Sequence, residues 1–140
     1  MFEIRYAAEE DKSFWFTLDK YIREDEFLLK IRDKRCYIIC DDNAPIGVMR
    51  YNLFWDSIPF LTLIYLQKSS REKGFGRKTV LFWEQEMRVL GYKMVMTSTQ
   101  VDEQAQHFYR KLGYKEKGSL FFDNTPLEQP QEMFMMKALS

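Results

Sequence analysis

Short apolar runs alternating with stretches of helical periodicity predict an α/β domain built on a mixed sheet. Two adjacent patterns carry most of this. The run Phe60-Leu61-Thr62-Leu63-Ile64-Tyr65-Leu66 is apolar, partly β-branched and short, as a largely buried strand is. After it, apolar side chains recur at Val80, Leu81, Trp83, Met87 and Leu90, close to the three-and-four spacing of one helix face, and Gly91 supplies a stop. Length is the third observation: 140 residues make one domain's worth of chain, and a composition that is 46% hydrophobic and 16% aromatic is ample for a single core.

Taken in order, Phe2 to Tyr6 reads as a first strand, and Ala7-Ala8-Glu9-Glu10-Asp11 opens a helix running to about Lys20. A second helix spans about Arg23 to Asp33, with Phe27, Leu28 and Ile31 on one face. Cys36 to Cys40, the turn Asp41-Asp42-Asn43, and Pro45 to Phe54 read as a hairpin, which Trp55-Asp56-Ser57-Ile58-Pro59 connects to the strand ending at Leu66. Beyond the central helix, Met94 to Thr99 reads as a strand, Glu103 to Leu112 as a helix, and Tyr114 to Phe122 with Glu132 to Leu139 as a closing strand pair. Asp123 to Pro130, with two prolines, is the loop between them. The order is βααβββαβαββ, in one domain from residue 1 to 140, without repeat or linker.

Charge and cysteine usage narrow the function classes. With 21 basic and 21 acidic residues the formal net charge is zero, so neither nucleic acid nor an anionic membrane is an expected partner. No apolar stretch approaches the length of a bilayer span, and Glu3 and Arg5 interrupt any secretory apolar segment, so a cytoplasmic protein is expected. Cys36 and Cys40 would share a strand face about 13 Å apart, too far to bridge. They read as small buried hydrophobes, and with His107 the single histidine no metal site is expected.

The junction Arg71-Glu72-Lys73-Gly74-Phe75-Gly76-Arg77-Lys78 joins the buried strand to the central helix. Strand, glycine turn and helix aim unpaired backbone N–H groups and the positive helix end at one point. Gly74 and Gly76 let an anion approach the backbone, and Arg71, Lys73, Arg77 and Lys78 supply charge. Such a turn also serves as an ordinary solvated cap, and these residues alone leave both readings standing. A Walker loop is excluded by spacing and by the lack of a Gly-Lys-Ser/Thr ending, and the dinucleotide fingerprint by its missing third glycine.

Downstream stands Asp102-Glu103-Gln104-Ala105-Gln106-His107-Phe108-Tyr109-Arg110-Lys111-Leu112-Gly113-Tyr114. With this segment the chain resembles the GNAT N-acetyltransferase family, whose Arg/Gln-x-x-Gly-x-Gly/Ala turn is followed roughly thirty residues later by Ala-x-x-Phe-Tyr-x-Lys-x-Gly-Phe/Tyr. Arg71-x-x-Gly74-x-Gly76 matches the first element and Ala105-x-x-Phe108-Tyr109-x-Lys111-x-Gly113-Tyr114 the second. The motif matches run from about Ile64 to Tyr114, and the outline covers the whole chain.

The resemblance implies a GNAT-like acyl-coenzyme A N-acyltransferase fold whose central strands splay to admit the pantetheine arm, and acetyl-coenzyme A as co-substrate. Its diphosphate would be held by the backbone of Arg71, Glu72, Lys73, Gly74, Phe75, Gly76, Arg77 and Lys78. Its pantetheine amides would pair with main chain at Leu66 and Lys68, as an added strand does. Tyr109 matches the tyrosine that protonates the leaving thiolate, a task suited to a neutral phenol. Asp102 takes the place of an asparagine that contacts the coenzyme; a carboxylate accepts but cannot donate, which changes that contact. Glu72 replaces a frequent glycine and Lys68 a common proline.

No base is assigned for the attacking amine. The strand from Phe60 to Leu66 contains no acid, Glu26, Asp56 and Asp102 read as solvated surface charges, and His107 as a surface or packing residue. By family analogy the acceptor, a small-molecule or peptide amine, would meet the first two helices, the loop near Trp55 and the final strand pair, with Phe14, Trp15, Phe54, Trp55 and Phe121 supplying aromatic surface and Ser98, Thr99 and Gln100 polar lining. Phe121, Phe122, Met133, Phe134 and Met135 could serve a homodimer contact, although burial within the monomer explains them equally. A coenzyme-binding sensor or interaction module that has lost catalysis is the alternative function, motivated by the missing base and the changes at Asp102 and Glu72.

Overall fold

The computed structural model describes residues 1–140 and gives the expected order of elements. They are β1 (Phe2–Tyr6), a 3-10 turn (Glu9–Asp11), α1 (Lys12–Leu18), α2 (Glu24–Arg32), β2 (Cys36–Asp41), β3 (Ala44–Phe54), β4 (Ile58–Leu66), a 3-10 turn (Lys68–Ser70), α3 (Phe75–Val89), β5 (Met94–Gln100), α4 (Ala105–Lys111), β6 (Lys115–Leu120) and β7 (Glu132–Ala138). The strands form one seven-stranded mixed sheet in the order β1-β2-β3-β4-β5-β7-β6. β4 and β5 run parallel and register at Phe60↔Met96 and Leu61↔Thr97, whereas β4 continues to Leu66 and β5 to Gln100. No helix is long and apolar enough to cross a membrane.

Element ends differ from the expected ones where local chemistry intervenes. The first helix begins as a 3-10 turn and stops at Leu18, because Asp19 turns to extended backbone and its side chain is drawn fully inward. The hairpin turns on Asp42 and Asn43, both at positive φ (51° and 66°), the left-handed pair that matches strand twist. A second such pair, Trp55 and Asp56, shortens the β3–β4 connection so that β4 starts at Ile58 and includes the buried Pro59. The fourth helix starts at Ala105 rather than Glu103, because residues 101–104 form a turn in which Glu103 N–H bonds the Gln100 carbonyl at 3.0 Å. It ends in a Schellman motif: Tyr114 N–H reaches the Tyr109 carbonyl at 3.1 Å and Gly113 N–H the Arg110 carbonyl at 3.0 Å, with Gly113 at φ 97°. Strand β6 therefore begins at Lys115.

The backbone divides into two compact units, Met1–Asn52 with Thr62–Trp83, and Leu53–Leu61 with Glu84–Ser140. In the first, Trp15 and Phe27 lie 4.9 Å apart, centre to centre, in a core with Cys36, Ile38, Cys40 and Val48. Both cysteines are free and buried, and burial pushes the Cys36 thiol up to about 12, so neither is a ready nucleophile. In the second, β5 and β7 pair from Met94↔Ala138 to Gln100↔Glu132 over buried Val95, Met96, Met133 and Met135. Its one deeply buried acid, Glu84, is satisfied on both oxygens: the Tyr114 hydroxyl and the Lys137 ammonium each donate to it at 2.8 Å.

Candidate active site

The glycine turn lies in the first unit, between β4 and α3. Its backbone is shaped by two left-handed residues, Glu72 at φ 62° and Gly74 at φ 83°. The first intrahelical bond runs from Lys78 N–H to the Gly74 carbonyl at 3.2 Å, which leaves the N–H groups of Phe75, Gly76 and Arg77 without helical acceptors. Helix α2 has Glu24, Asp25 and Glu26 in its first turn, where they answer the helix dipole, whereas α3 has no acid there. The open amides and positive end of α3 are thus chemically suited to a diphosphate.

The side chains around the turn are partly committed to holding it. Arg71 Nε donates to the Leu66 carbonyl at 3.0 Å, and its guanidinium lies 4.9 Å from the Tyr65 ring centre. This ties the turn to the end of β4; the Leu66 carbonyl keeps a second lone pair for another donor. Lys78 is drawn over the Phe2 and Phe75 rings, at 5.6 and 5.9 Å, which stack on each other at 5.3 Å. Arg71, Glu72, Lys73 and Arg77 are all exposed. Lys68 opens the 3-10 turn and its carbonyl accepts Arg71 N–H at 3.2 Å.

The left-handed backbone at Glu72 explains why a glycine is frequent at that position: a side chain there costs conformational energy. Glu72→Gly is expected to raise stability by up to about 1 kcal/mol. By removing a negative charge beside the turn it should also tighten acetyl-coenzyme A binding a few fold, about 0.5–1 kcal/mol. Paired thermal melts and calorimetric titrations check both; weaker binding by the glycine variant would assign Glu72 a favourable contact instead.

Tyr109 lies in the second unit, on the buried face of α4. Its ring packs edge-on against Tyr114 and Phe108, with centres at 5.3 and 5.1 Å. Its hydroxyl lies beside the Thr97 side chain, whose own hydroxyl donates to the Leu61 carbonyl at 3.0 Å. Thr97 and Leu61 are the last registered pair of β4 and β5, so the phenol ends where their ladder ends. Burial pushes Tyr109 up to about 12, only partly offset by Thr97, and so keeps it protonated across the physiological range.

The other residues singled out in the sequence lie partly at the surface and partly in the core. Asp102 is exposed in the turn before α4, and Glu26, Asp56 and His107 are exposed too. Trp15 is core rather than surface, and Thr99 is buried, while Trp55 and Phe121 are 80% and 70% exposed. Sequence reasoning missed Thr97 and Glu132. Glu132, at the start of β7, is half-buried, and burial raises its carboxyl while a hydrogen bond to Ser98 pulls it back. Neither carries a sequence signal: Thr97 reads as an ordinary strand residue, and Glu132 as a strand-end charge.

The sequence matches the Acetyltransferase (GNAT) family over residues 2–114, and the chain belongs to that family as an N-acetyltransferase. No curated protein matches it at significance. A GNAT-family acetyltransferase from Bacillus cereus superposes with TM-score 0.79 at 20% identity, covering 100% of this chain and 99% of that one. The ribosomal-protein-alanine N-acetyltransferase of Brucella melitensis gives 0.81 at 18% identity, covering 98% and 99%. A GNAT acetyltransferase from Elizabethkingia anophelis with acetyl-CoA bound gives 0.79 at 14% identity, covering 99% and 98%. At these identities the superpositions speak for the fold.

Proposed function

We propose that this chain, as one domain over residues 1–140, moves an acetyl group from acetyl-coenzyme A to a primary amine of a small molecule or peptide by direct attack in a ternary complex. The observation that carries the reading is the α3 amino end, acid-free and opened by a left-handed glycine turn, in the strand–turn–helix context that the family uses for coenzyme. The backbone of Arg71, Glu72, Lys73, Gly74, Phe75, Gly76, Arg77 and Lys78 would hold the diphosphate, Leu66 and Lys68 the pantetheine amides, and Asp102 would contact the coenzyme through its exposed turn. The amine, once it has given up its ammonium proton to solvent, attacks the thioester carbonyl, the tetrahedral intermediate collapses with breakage of the carbon–sulfur bond, Tyr109 gives its phenolic proton to the departing thiolate, and the proton shed by the nitrogen passes to solvent, from which the phenol is restored. Its raised pKa keeps the phenol protonated, and so in the form that donates, at neutral pH. The reading places the reaction in the cytoplasm and needs no metal.

A second reading is favoured by Glu72 and Asp102, two acids in or near the expected coenzyme contacts: a sensor that binds coenzyme A without turnover. Calorimetric titration with acetyl-coenzyme A tests the shared premise. Micromolar affinity, lost at least tenfold in Gly76→Glu, is expected, because that carboxylate would sit in the anion's place. No binding by the intact protein would overturn both readings, and binding without turnover on a broad amine panel would favour the sensor.

A further inference from the structure

Partly exposed aromatic rings run across the second unit, on the face of the sheet that carries Ser98. Phe54 lies 4.8 Å from Trp55 and 6.3 Å from Phe60, and Phe60 lies 5.7 Å from Phe134, centre to centre. Trp55 is 80% exposed, whereas Phe54, Phe60 and Phe134 are half-buried. Strand alternation puts Glu132 on the same face as Phe134, its next neighbour there. Across the two ladders Glu132 faces Gln100 and Leu120. Its carboxyl interacts with Ser98 and the like-charged Glu103, and with no cation. An aromatic surface ending in a half-buried carboxylate that has no cationic partner is complementary to a cation carried on an apolar body.

We propose that this face is the acceptor site, and that it takes a small primary amine borne on an aromatic group: the ammonium sets against Glu132 and the ring lies along Phe134, Phe60 and Phe54. The proposal rests on the acetyl-transfer reading above and names its substrate class. Glu132 and the nearby Glu103 gather negative charge at one end of the aromatic surface, which suits a single ammonium with an apolar body extending over the rings. A small aliphatic amine would leave the rings in water, whereas a phenyl group buried on them gains about ten- to a hundredfold in affinity.

The test uses the full chain. Of its three tryptophans, Trp15 and Trp83 are fully buried, so amine-dependent changes in emission report Trp55. Phenethylamine is expected to change that emission saturably without acetyl-coenzyme A, where ethylamine does not. Its KM for acetylation should be at least about tenfold below that of ethylamine. Phe134→Ala should erase the difference. Glu132→Gln, nearly isosteric and still able to bond Ser98, should raise the phenethylamine KM about tenfold while leaving acetyl-coenzyme A affinity unchanged. Equal KM values for the two amines overturn the proposal, as does an emission change that follows protein concentration and tracks dimer formation by sedimentation, which would make the face a contact between copies. Because the emission titration needs no coenzyme, a protein that binds phenethylamine but not acetyl-coenzyme A would sink the transfer reading and leave the surface standing. One that turns over amines indiscriminately would do the reverse.

Discussion

Tyr109→Phe is expected to lower turnover about 100-fold, in the range that a positioned general acid supplies, while acetyl-coenzyme A affinity stays within about twofold. The substitution removes one oxygen and leaves the ring contacts with Tyr114 and Phe108 in place. It also removes the hydroxyl beside Thr97, a change worth at most about 1 kcal/mol of stability, while Thr97 still donates to Leu61. A melting point lowered by no more than about 5 °C beside a collapsed rate would therefore separate chemistry from packing. The pH profile adds a second check. An acid held up at about 12 is in its donating form throughout the range from neutral to mildly alkaline, so Tyr109 contributes no fall in activity there. An alkaline limb centred near 9 that vanishes in Tyr109→Phe would contradict this assignment, and so would an unchanged rate.

The fold was legible in the sequence because its elements obey local rules. Apolar runs at strand length, an apolar face at helical spacing and Gly91 and Gly113 as stops each act within a few residues, and the structure reproduces their order. The ends were less legible, since they depend on partners far away. Leu18 ends α1 because Asp19 is pulled to Arg50, a partner 31 residues on, and no window around Asp19 contains that information. The turn from Arg71 to Lys78 could be read because anion binding by a helix amino end is itself local. What surrounds Tyr109 could not: Thr97 and Leu61 meet it only once β4, β5 and α4 have assembled. Glu132 was hidden for the same reason, as an acid that looks solvated in sequence becomes half-buried beside Ser98 when β7 inserts between β5 and β6.

Adjacent residues of β5 point to opposite faces. Thr97 meets the phenol on the α4 side, and Ser98 meets Glu132 on the aromatic side. Within the second unit, the proposed proton donor to the thiolate and the proposed anchor for the ammonium are thus separated by the thickness of one strand. In the proposed transfer the phenol would serve the leaving thiolate and the carboxylate the incoming amine from opposite faces of β5.

Asp19→Ala should cost about 3–5 kcal/mol, the loss typical of breaking a buried ion pair from one side. Asp19 is fully buried and its carboxylate is shared three ways: Arg50 Nε donates at 2.8 Å, Trp15 Nε1 at 3.0 Å and Tyr21 N–H at 3.0 Å. Removing it leaves a nearly buried guanidinium uncompensated and strands an indole N–H in the core, each a desolvation penalty without return. Against a typical total of about 5–15 kcal/mol the variant would sit near the edge of folding. Asp19→Asn keeps one oxygen for Trp15 but sets its NH2 against the Tyr21 N–H, which bonds the other carboxylate oxygen, and it loses the charge, so it should fall between wild type and alanine. Pairing Asp19→Asn with Arg50→Met removes the orphaned charge and should recover much of the loss, since a buried pair replaced on both sides is often close to neutral. Urea midpoints for the singles and the double, with the slope monitored, give the coupling directly. If Asp19→Ala shifted stability by less than about 1 kcal/mol, the core of the first unit would owe its cohesion to Trp15, Phe27 and their apolar neighbours, and the ion pair would serve only to end α1.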